Sequence, residues 1–476
     1  MRKTNGSSVE FAVPDTHSWW RDLRDATRGS HHDYTEGNIG RAIFLLAVPM
    51  VLEMIMEGLF AVTDIFWVGR LGSDAVATVG LTETMMIIIY TVAIGLSISG
   101  AAFVARRIGE KNADGAARGA VQAILLGGFA SAVLAAAGAV FAPQLLALMG
   151  ASPTVIATGT GFTRMMLGGS SSAFLLFIIN STFRGAGDAA VAMRVLWLAN
   201  WINILLGPVL IFGLGPFPKM GVMGAAVATT IGRGTGVLFA LSRLARGSGH
   251  LAVKRRHLTA EWKTMQTLAR MSVSATVQFT VSTVSWIGLV RVMASFGSVA
   301  MAGYTIAVRI MMLALMPAFG ISSAGATMVG QALGAQNPNR AAQAVRTAAR
   351  YNVWFLGSVG VLFLTGAPWL IAAFTHDAAV RDVASFGLRT MALGFPMFAL
   401  GMVYTQAFNG AGDTRTPTYI NLGVFWAFEI PFAWFLAEHT AAGFRGIFIA
   451  VAVAYSLLAL VSRALFARGR WKTRTV

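Results

Sequence analysis

The chain contains no cysteine and little charge. Of its 476 residues only 12% are Asp, Glu, Lys or Arg, whereas about 25% are charged in an ordinary soluble protein. The absence of cysteine excludes disulfide bonds, zinc–thiolate sites and thiol catalysis. The low charge excludes a soluble enzyme, a disordered chain and a coiled coil, because too few charged side chains remain to cover a soluble surface. Since 56% of the residues are hydrophobic, the composition indicates a polytopic membrane protein.

Twelve apolar runs are each long enough to cross the hydrocarbon core, which takes about 20 residues per helix. They lie at 42–68, 82–105, 119–141, 155–182, 189–213, 221–243, 266–293, 303–329, 342–366, 381–408, 417–437 and 444–466. We therefore predict an all-α integral membrane protein with twelve transmembrane helices. Its expected parts are a tail (1–40), a six-helix bundle (41–245), a linker (246–265), a second six-helix bundle (266–467) and a tail (468–476). The first tail lacks the early apolar core of a cleaved signal peptide, so we expect the first span to be retained.

Lys and Arg lie mainly on one side of these spans. By this map, 28 of the 37 basic residues fall in the tails and in the loops of one side, and four fall in the opposite loops. Basic loops are typical of the cytoplasmic side. Both termini are therefore predicted to be cytoplasmic, in the inner cell membrane. Topology and contact with acidic membrane lipid account for the net charge of +17, and no nucleic-acid partner is expected.

Short motifs recur at one constant spacing, which we call the repeat offset. Gly72-Ser73 recurs as Gly297-Ser298, and the Gly-Ala-Gly-Asp motif of 185–188 recurs at 410–413 with the same offset. Two bundles of six helices that start on the same side form a parallel repeat, so we predict a pseudo-two-fold axis normal to the membrane. Such repeats are typical of secondary transporters, whose substrate site lies between the halves.

Two further segments complete a family pattern. The first span ends in Val-Thr-Asp-Ile-Phe-Trp-Val-Gly-Arg-Leu-Gly (62–72), and the fifth contains Asn-Ile-Leu-Leu-Gly-Pro (203–208). With the repeated Gly-Ala-Gly-Asp motif, these segments resemble the multidrug and toxic compound extrusion (MATE) family, in particular its prokaryotic branch named for DNA-damage-inducible protein F. The resemblance covers about residues 38–467. It implies an antiporter that exports amphipathic, often cationic, organic compounds while Na⁺ or H⁺ flows inward.

The resemblance also implies where the coupling cation binds. A carboxylate in the first span anchors the family's cation site, and Asp64 occupies that position here. A second family carboxylate belongs in the fifth span, where this chain has Gly207 but keeps the partner Asn203. A site with two carboxylates would therefore need a substitute for the second one. Na⁺ is expected at Asp64 and Asn203, and no cofactor other than the coupling ion.

The first span carries three carboxylates on one face. At 100° per residue, Glu53, Glu57 and Asp64 fall within about 40° of one another and extend over roughly 16 Å. Because ionisable residues inside a bilayer are costly, they are functional candidates. We hypothesise that the two glutamates supply the negative charge missing at Gly207. The alternative is a structural pairing of either glutamate with Arg164 or Arg233.

Neutral oxygen ligands and a substrate cleft complete the predicted site. Na⁺ prefers hard oxygen ligands, and the non-acidic candidates are Asn203, Thr229 and Asn180. Methionine repacks around different shapes, and the candidate cleft residues are Met50, Met54, Gln278, Met311 and Glu429. Gln278 stands at the repeat position of Glu53, so the cation site is assigned to the first half. Glu429 could instead pair with an arginine.

Three other functions are considered. A flippase for lipid-linked sugars would use arginines in a central cavity, and the candidates for this role are Arg291, Arg309 and Arg389. The acidic face of the first span argues against this function. An enzyme is not expected, because all seven histidines fall in tails or loops and no metal or nucleophile–base cluster is visible. A channel is opposed by the lack of a filter-like loop. We expect a monomer that carries small organic cations or amphipathic drugs.

Overall fold

Helices make up the regular secondary structure of the computed structural model, which describes residues 19–29, 32–247 and 249–474. The remainder of the predicted tails lies outside the described residues. The first half contains α1 (Trp19–Arg28), α2 (Ile39–Gly69), α3 (Ser73–Gly109), α4 (Ala113–Val140), α5 (Ala142–Leu148), α6 (Pro153–Gly168), α7 (Ser170–Ala186), α8 (Ala189–Phe212) and α9 (Val222–Arg246). The second half contains α10 (Trp262–Ala294), α11 (Gly297–Gly334), α12 (Pro338–Ala372), α13 (Ala378–Leu393), α14 (Phe395–Gly410), α15 (Arg415–Asn421), a π-helical segment (Leu422–Glu429), α16 (Ile430–His439) and α17 (Arg445–Ala467).

The number of membrane spans agrees with the sequence. Within the described residues, eleven helices or continuous helical stretches are long and apolar enough to cross a membrane, and the bent pair α13–α14 makes twelve. The all-α fold is therefore confirmed. Several helices are longer than their predicted spans, because polar residues at their ends continue the helix beyond the apolar run. The fourth and tenth spans are interrupted at Gly169 and Gly394, which are repeat equivalents, and the second interruption bends the chain by 55°.

The repeat is visible in local backbone geometry. Lys111 and Gln336 both adopt left-handed conformations, with φ of 56° and 55°, although such values are uncommon for residues other than glycine. Each is followed by an asparagine whose side chain accepts a backbone N–H of the next helix, Asn112 before α4 and Asn337 before α12. The same turn and cap therefore recur at the repeat offset, as the sequence motifs predict.

The two halves meet tightly at one end of α3 and α11. Gly109 packs on the backbone of Gln331, and its equivalent Gly334 packs on the backbone of Arg106. A Cβ atom at either glycine would collide with a carbonyl group, so only glycine allows this approach. The reciprocal contact is what a two-fold axis between the halves requires. Gly58 of α2, by contrast, meets only side chains of α11, those of Leu313 and Met316.

The tails and the linker pack onto that same end. Tyr34 lies against Gly187, with its hydroxyl 3.4 Å from the glycine carbonyl oxygen. His250 of the linker contacts Asp188 at 3.0 Å, and Arg474 contacts Asp413 at 3.6 Å. Both ends of the described chain thus lie on one side, together with the basic loops. That this side faces the cytoplasm stays a prediction.

Candidate functional site

Glu53 is buried and forms an ion pair across the first bundle. Its Oε1 accepts a hydrogen bond of 2.7 Å from Nη1 of Arg184, which lies in the last turn of α7. The expected alternative partners were Arg164 and Arg233, so that part of the prediction is wrong for Glu53. Arg164 instead donates to the carbonyl oxygen of Ala139. Arg184 was assigned to a loop because it ends an apolar run, but its long side chain reaches back into the bundle.

Glu57 has the arginine partner that the sequence offered as the alternative. Its Oε1 lies 3.8 Å from Nη2 of Arg233, and Asn200 donates to its Oε2 at 3.0 Å. Arg233 also donates to the hydroxyl of Tyr90 at 2.6 Å. Two arginines therefore balance the charges of Glu53 and Glu57. The hypothesis that these glutamates by themselves replace the charge missing at Gly207 loses its electrostatic basis.

A cavity of about 50 Å³ lies between these groups, and we call it the N-terminal chamber. Its walls are Glu53, Met54, Glu57, Ala173, Leu176, Phe177, Asn180, Arg184, Leu196 and Arg233. Oε2 of Glu53 and Oδ1 of Asn180 are both buried and have no hydrogen-bond partner among the described residues. Buried acceptors of this kind are normally satisfied. The chamber thus offers free oxygen atoms of the type that bind a proton or a hard cation.

Asp64 lies further along α2 and does not line this chamber. Its side chain is half-buried and forms no hydrogen bond or ion pair within the described part of the chain. Glu83 and Arg233 are the charged groups that act on it. Glu83 stands at the start of the predicted second span, 82–105, where a charge near the membrane surface costs little, so the sequence does not mark it as a site residue. Its proximity to Asp64 of α2 depends on how α3 packs, which the sequence alone does not show.

Asn203 and Thr229 form a buried pair, with 2.6 Å between Nδ2 of Asn203 and the threonine hydroxyl. Gly207 lies one turn from Asn203 on α8, and a Cβ built there would stand 3.9 Å from Oδ1 of Asn203. The structure thus brings only some of the predicted ligands together. Glu53, Glu57 and Asn180 surround the chamber, whereas Asp64 and the Asn203–Thr229 pair lie outside its lining.

A second cavity, of about 140 Å³, lies in the other bundle, and we call it the C-terminal chamber. Its walls are Gln278, Phe279, Ser282, Ser285, Trp286, Met312, Leu315, Phe319, Phe398, Met402, Gln406, Asn421, Phe425, Glu429, Tyr455 and Leu458. Glu429 is buried, and the hydroxyl of Ser285 donates to its Oε2 at 3.1 Å. The suggested pairing of Glu429 with an arginine is not observed among the described residues.

The two chambers are copies of one another. Seven pairs of lining residues are related by the repeat offset, namely Glu53 and Gln278, Met54 and Phe279, Glu57 and Ser282, Ala173 and Phe398, Phe177 and Met402, Leu196 and Asn421, and Arg233 and Leu458. The repeat has therefore kept the position of the cavity and changed its chemistry.

Only part of the predicted substrate cleft lines a chamber. Met54 lines the first chamber, and Gln278 and Glu429 line the second. Met50 is buried where Gly320 packs on its backbone. Met311 is fully buried, with its sulfur 3.5 Å from the hydroxyl of Tyr455. Neither of these two lines a chamber, and their part in a substrate cleft stays a prediction.

The three arginines that are candidates for a flippase cavity do not line either chamber. Arg291, Arg309 and Arg389 are exposed. Arg389 donates to the carbonyl oxygen of Leu364 at 3.0 Å, which repeats the contact of Arg164 with Ala139. The arrangement does not favour the flippase alternative.

The family model MatE matches residues 49–209 and again residues 274–435. The chain belongs to the MatE family. The starting positions of the two matches differ by the same repeat offset as the sequence motifs. The resemblance to the multidrug and toxic compound extrusion family is therefore confirmed, and the chain is a transporter and not an enzyme.

Similar proteins span nearly the whole chain. The probable multidrug resistance protein NorM of Thermotoga maritima is 25% identical over 92% of this chain and 94% of its own length. The FAD transporter of Shewanella oneidensis is 27% identical over 82% of this chain and 86% of its own. A solved MATE structure, the P26A mutant, covers 92% of this chain and 97% of its own with a TM-score of 0.86 and 25% identity. An outward-facing multidrug resistance MATE transporter has the same TM-score and identity.

Proposed function

We propose that this chain is a cation-coupled antiporter that exports amphipathic or cationic organic compounds by alternating access, with Na⁺ or H⁺ bound in the N-terminal half. The observation that carries the proposal is the acidic face of α2. Glu53 keeps a buried oxygen without a partner, and Asp64 has no ion pair of its own in the described structure. The equivalent helix α10 has Gln278 and Leu289 at these positions.

The chemistry of these side chains suits either coupling ion. A carboxylate in a water-poor site can exchange a proton for a cation as access alternates. For Na⁺, the oxygen donors would come from Asp64 and Asn203, since Nδ2 of Asn203 is engaged by Thr229 and its Oδ1 accepts no hydrogen bond in the described structure. In the N-terminal chamber, the corresponding donors are Glu53 and Asn180.

The way in which the halves meet supports alternating access. They pack closely where Gly109 and Gly334 contact the opposite backbone, at the end that carries the basic loops. If that end is cytoplasmic, the structure is closed toward the cytoplasm and corresponds to an outward-facing state. Transport then requires the two glycine contacts to separate. We place the protein in the inner membrane as a monomer, with both termini in the cytoplasm and lipid around the bundles.

Dye efflux from vesicles, with a Na⁺ gradient or a pH gradient imposed one at a time, tests the proposal. One of the two gradients is expected to drive export of an ethidium-like dye from vesicles containing the protein, and empty vesicles are the control. Efflux that ignores both gradients would contradict coupling to either ion.

A further inference from the structure

The walls of the C-terminal chamber form an aromatic box. Trp286, Phe279, Phe398, Phe425 and Tyr455 all line it. Aromatic faces attract organic cations through the negative charge of their π-systems. With a volume of about 140 Å³, the chamber is close in size to an engineered cavity of about 150 Å³ that binds benzene. It therefore has room for about one aromatic ring.

One carboxylate in this box lacks a positive partner. The Glu429 side chain accepts a hydrogen bond at Oε2 from Ser285, and no hydrogen bond reaches Oε1 within the described residues. The lining contains no Lys, Arg or His. A buried carboxylate without a counter-charge is costly, so a ligand that brings a positive charge would compensate it.

A second acceptor points to the same kind of ligand. Oε1 of Gln278 is buried and has no hydrogen-bond partner in the described structure. Gln278 lies on α10, two turns from Ser285, and both line the chamber. An unpaired amide oxygen and an incompletely paired carboxylate both accept hydrogen bonds from N–H or O–H donors. A protonated amine provides the charge and the donors together.

The backbone next to Glu429 is unusual. The π-helical segment Leu422–Glu429 interrupts the eleventh span and ends at this carboxylate. Within it, the carbonyl oxygen of Phe425 also accepts from the hydroxyl of Ser285 at 3.2 Å. Trp426 anchors the segment by donating to the carbonyl oxygen of Val281 at 2.8 Å. Such π-helical segments occur frequently at functional sites, and this one holds Glu429 in the chamber wall.

We propose that the C-terminal chamber binds the ammonium-bearing aromatic part of the exported compound, with Glu429 as its counter-ion and Gln278 as a hydrogen-bond acceptor. The inference rests on the proposed export of organic cations and adds a location for them. Met312, which lines the chamber and is exposed, marks its mouth. Cargo and coupling ion then bind in different bundles, so cargo binding does not need Asp64.

Equilibrium binding of radiolabelled benzylammonium to the purified full-length protein tests this inference. Glu429→Gln keeps the contact with Ser285 but removes the charge, and it is expected to weaken binding by at least about tenfold, the size of one lost charge-assisted contact. Glu438→Gln is the matched control. That residue lies on α16, is exposed and is also contacted by a serine, Ser295, and the variant should bind as the wild type does.

Two further measurements make the result decisive. Benzyl alcohol has the same ring without the charge, so its binding should be the same in Glu429→Gln and in the wild type. Gln278→Leu removes the second acceptor and should weaken benzylammonium binding about threefold, and this variant decides the question if Glu429→Gln does not fold. Wild-type affinity in a folded Glu429→Gln, or in Gln278→Leu where the former is unfolded, would overturn the inference.

The same assay separates this inference from the proposed antiport. Asp64→Asn should bind benzylammonium with wild-type affinity while losing export. If Glu429→Gln weakens binding but neither ion gradient drives export by the wild type, the chamber stands and cation coupling fails. If export is driven by a gradient and Glu429→Gln binds normally, coupling stands and the location of the cargo is wrong.

Discussion

The N-terminal and C-terminal chambers occupy equivalent places in the two bundles but differ in charge. The first contains Glu53, Glu57, Arg184 and Arg233, and the second contains Glu429 alone. The first is also smaller, at about 50 Å³ against about 140 Å³. Duplication has thus preserved a cavity between the same helices while its walls diverged. The charged walls of the first chamber suit a small ion, and the aromatic walls of the second suit an organic molecule.

The two ion pairs of the first chamber are weak evidence for stability, because desolvation of buried charges offsets much of their attraction. The second bundle shows that the fold does not require them. At the positions of Glu57 and Arg233 it has Ser282 and Leu458. Their presence in one bundle only fits the proposed role in binding or moving an ion.

The largest effect is expected from Asp64→Asn. The substitution removes the carboxylate that has no ion pair in the described structure, so export of ethidium-like dyes should be abolished while the protein still inserts in the membrane. Efflux and membrane content are measured in the same cells. Asp74→Asn, at the exposed start of α3, is the control and should export normally. Full efflux by Asp64→Asn would remove the proposed coupling mechanism.

Breaking the Glu53–Arg184 ion pair of the N-terminal chamber should lower the free energy of unfolding only when one of the two partners is left in place. Glu53→Gln leaves the partly buried Arg184 without its carboxylate, and the cost should approach the value of about 3–5 kcal/mol for a fully buried pair. The double variant Glu53→Gln with Arg184→Met removes both charges and should recover most of that stability. Gln278→Leu, at the equivalent position of the C-terminal chamber, should change stability by less than about 1 kcal/mol, since its Oε1 has no partner to lose.

Unfolding in detergent by a chemical denaturant measures these differences. If the single variant Glu53→Gln were no less stable than the double variant, the pair would not be desolvated in the way the structure shows, and the contrast between the chambers would be weaker.

A smaller effect is expected from Glu57→Gln. This carboxylate contacts Arg233, which is also within electrostatic range of Asp64. Neutralising Glu57 therefore changes the field at the proposed coupling residue, and the Na⁺ or pH dependence of efflux should shift while export continues. Ser282→Ala alters the equivalent position of the other chamber and should leave the dependence unchanged. Identical titrations of Glu57→Gln and the wild type would make this glutamate structural.

Composition and repeat spacing were sufficient to predict the fold. Apolar run lengths gave the number of spans, and the constant repeat offset gave the relation between the bundles. Helix interruptions were not predicted, since Gly169 and Gly394 look like any glycine in an apolar run. The amphipathic helix α1 was also missed, because it is short and polar and lies within a segment that has no apolar run.

The candidate site was predicted only in part. Spacing along one helix placed Glu53, Glu57 and Asp64 on one face, but it carried no information on what lies opposite. The pairing of Glu53 with Arg184 depends on where the end of α7 packs. The aromatic box around Glu429 is assembled from α10, α11, α14, α17 and the π-helical segment, and such a convergence of distant segments leaves no local pattern in the sequence.

The smallest predicted effect concerns the equivalent aspartates at the closed end, Asp188 and Asp413. Asp188 accepts a hydrogen bond of 2.8 Å from the backbone N–H of His250 and contacts its ring, whereas Asp413 contacts Arg474. The side-chain hydrogen bond with Asp188 raises the pKa of His250 above its usual 6.5. Because the pKa is raised on folding, the stabilisation is complete below the usual value and is lost as the pH rises through the raised one.

The hydrogen-exchange rates of the backbone around Asp188 and around Asp413 should therefore diverge as the pH rises. After correction for the intrinsic effect of pH on exchange, backbone protection around Asp188 is expected to fall by about 1 kcal/mol or less. Protection around Asp413 should stay constant, because Arg474 keeps its charge throughout. His250→Gln should abolish the pH dependence at the first site and leave the second unchanged. An equal change in protection around both aspartates would show that the asymmetry between the two halves does not extend to the end where they pack closely.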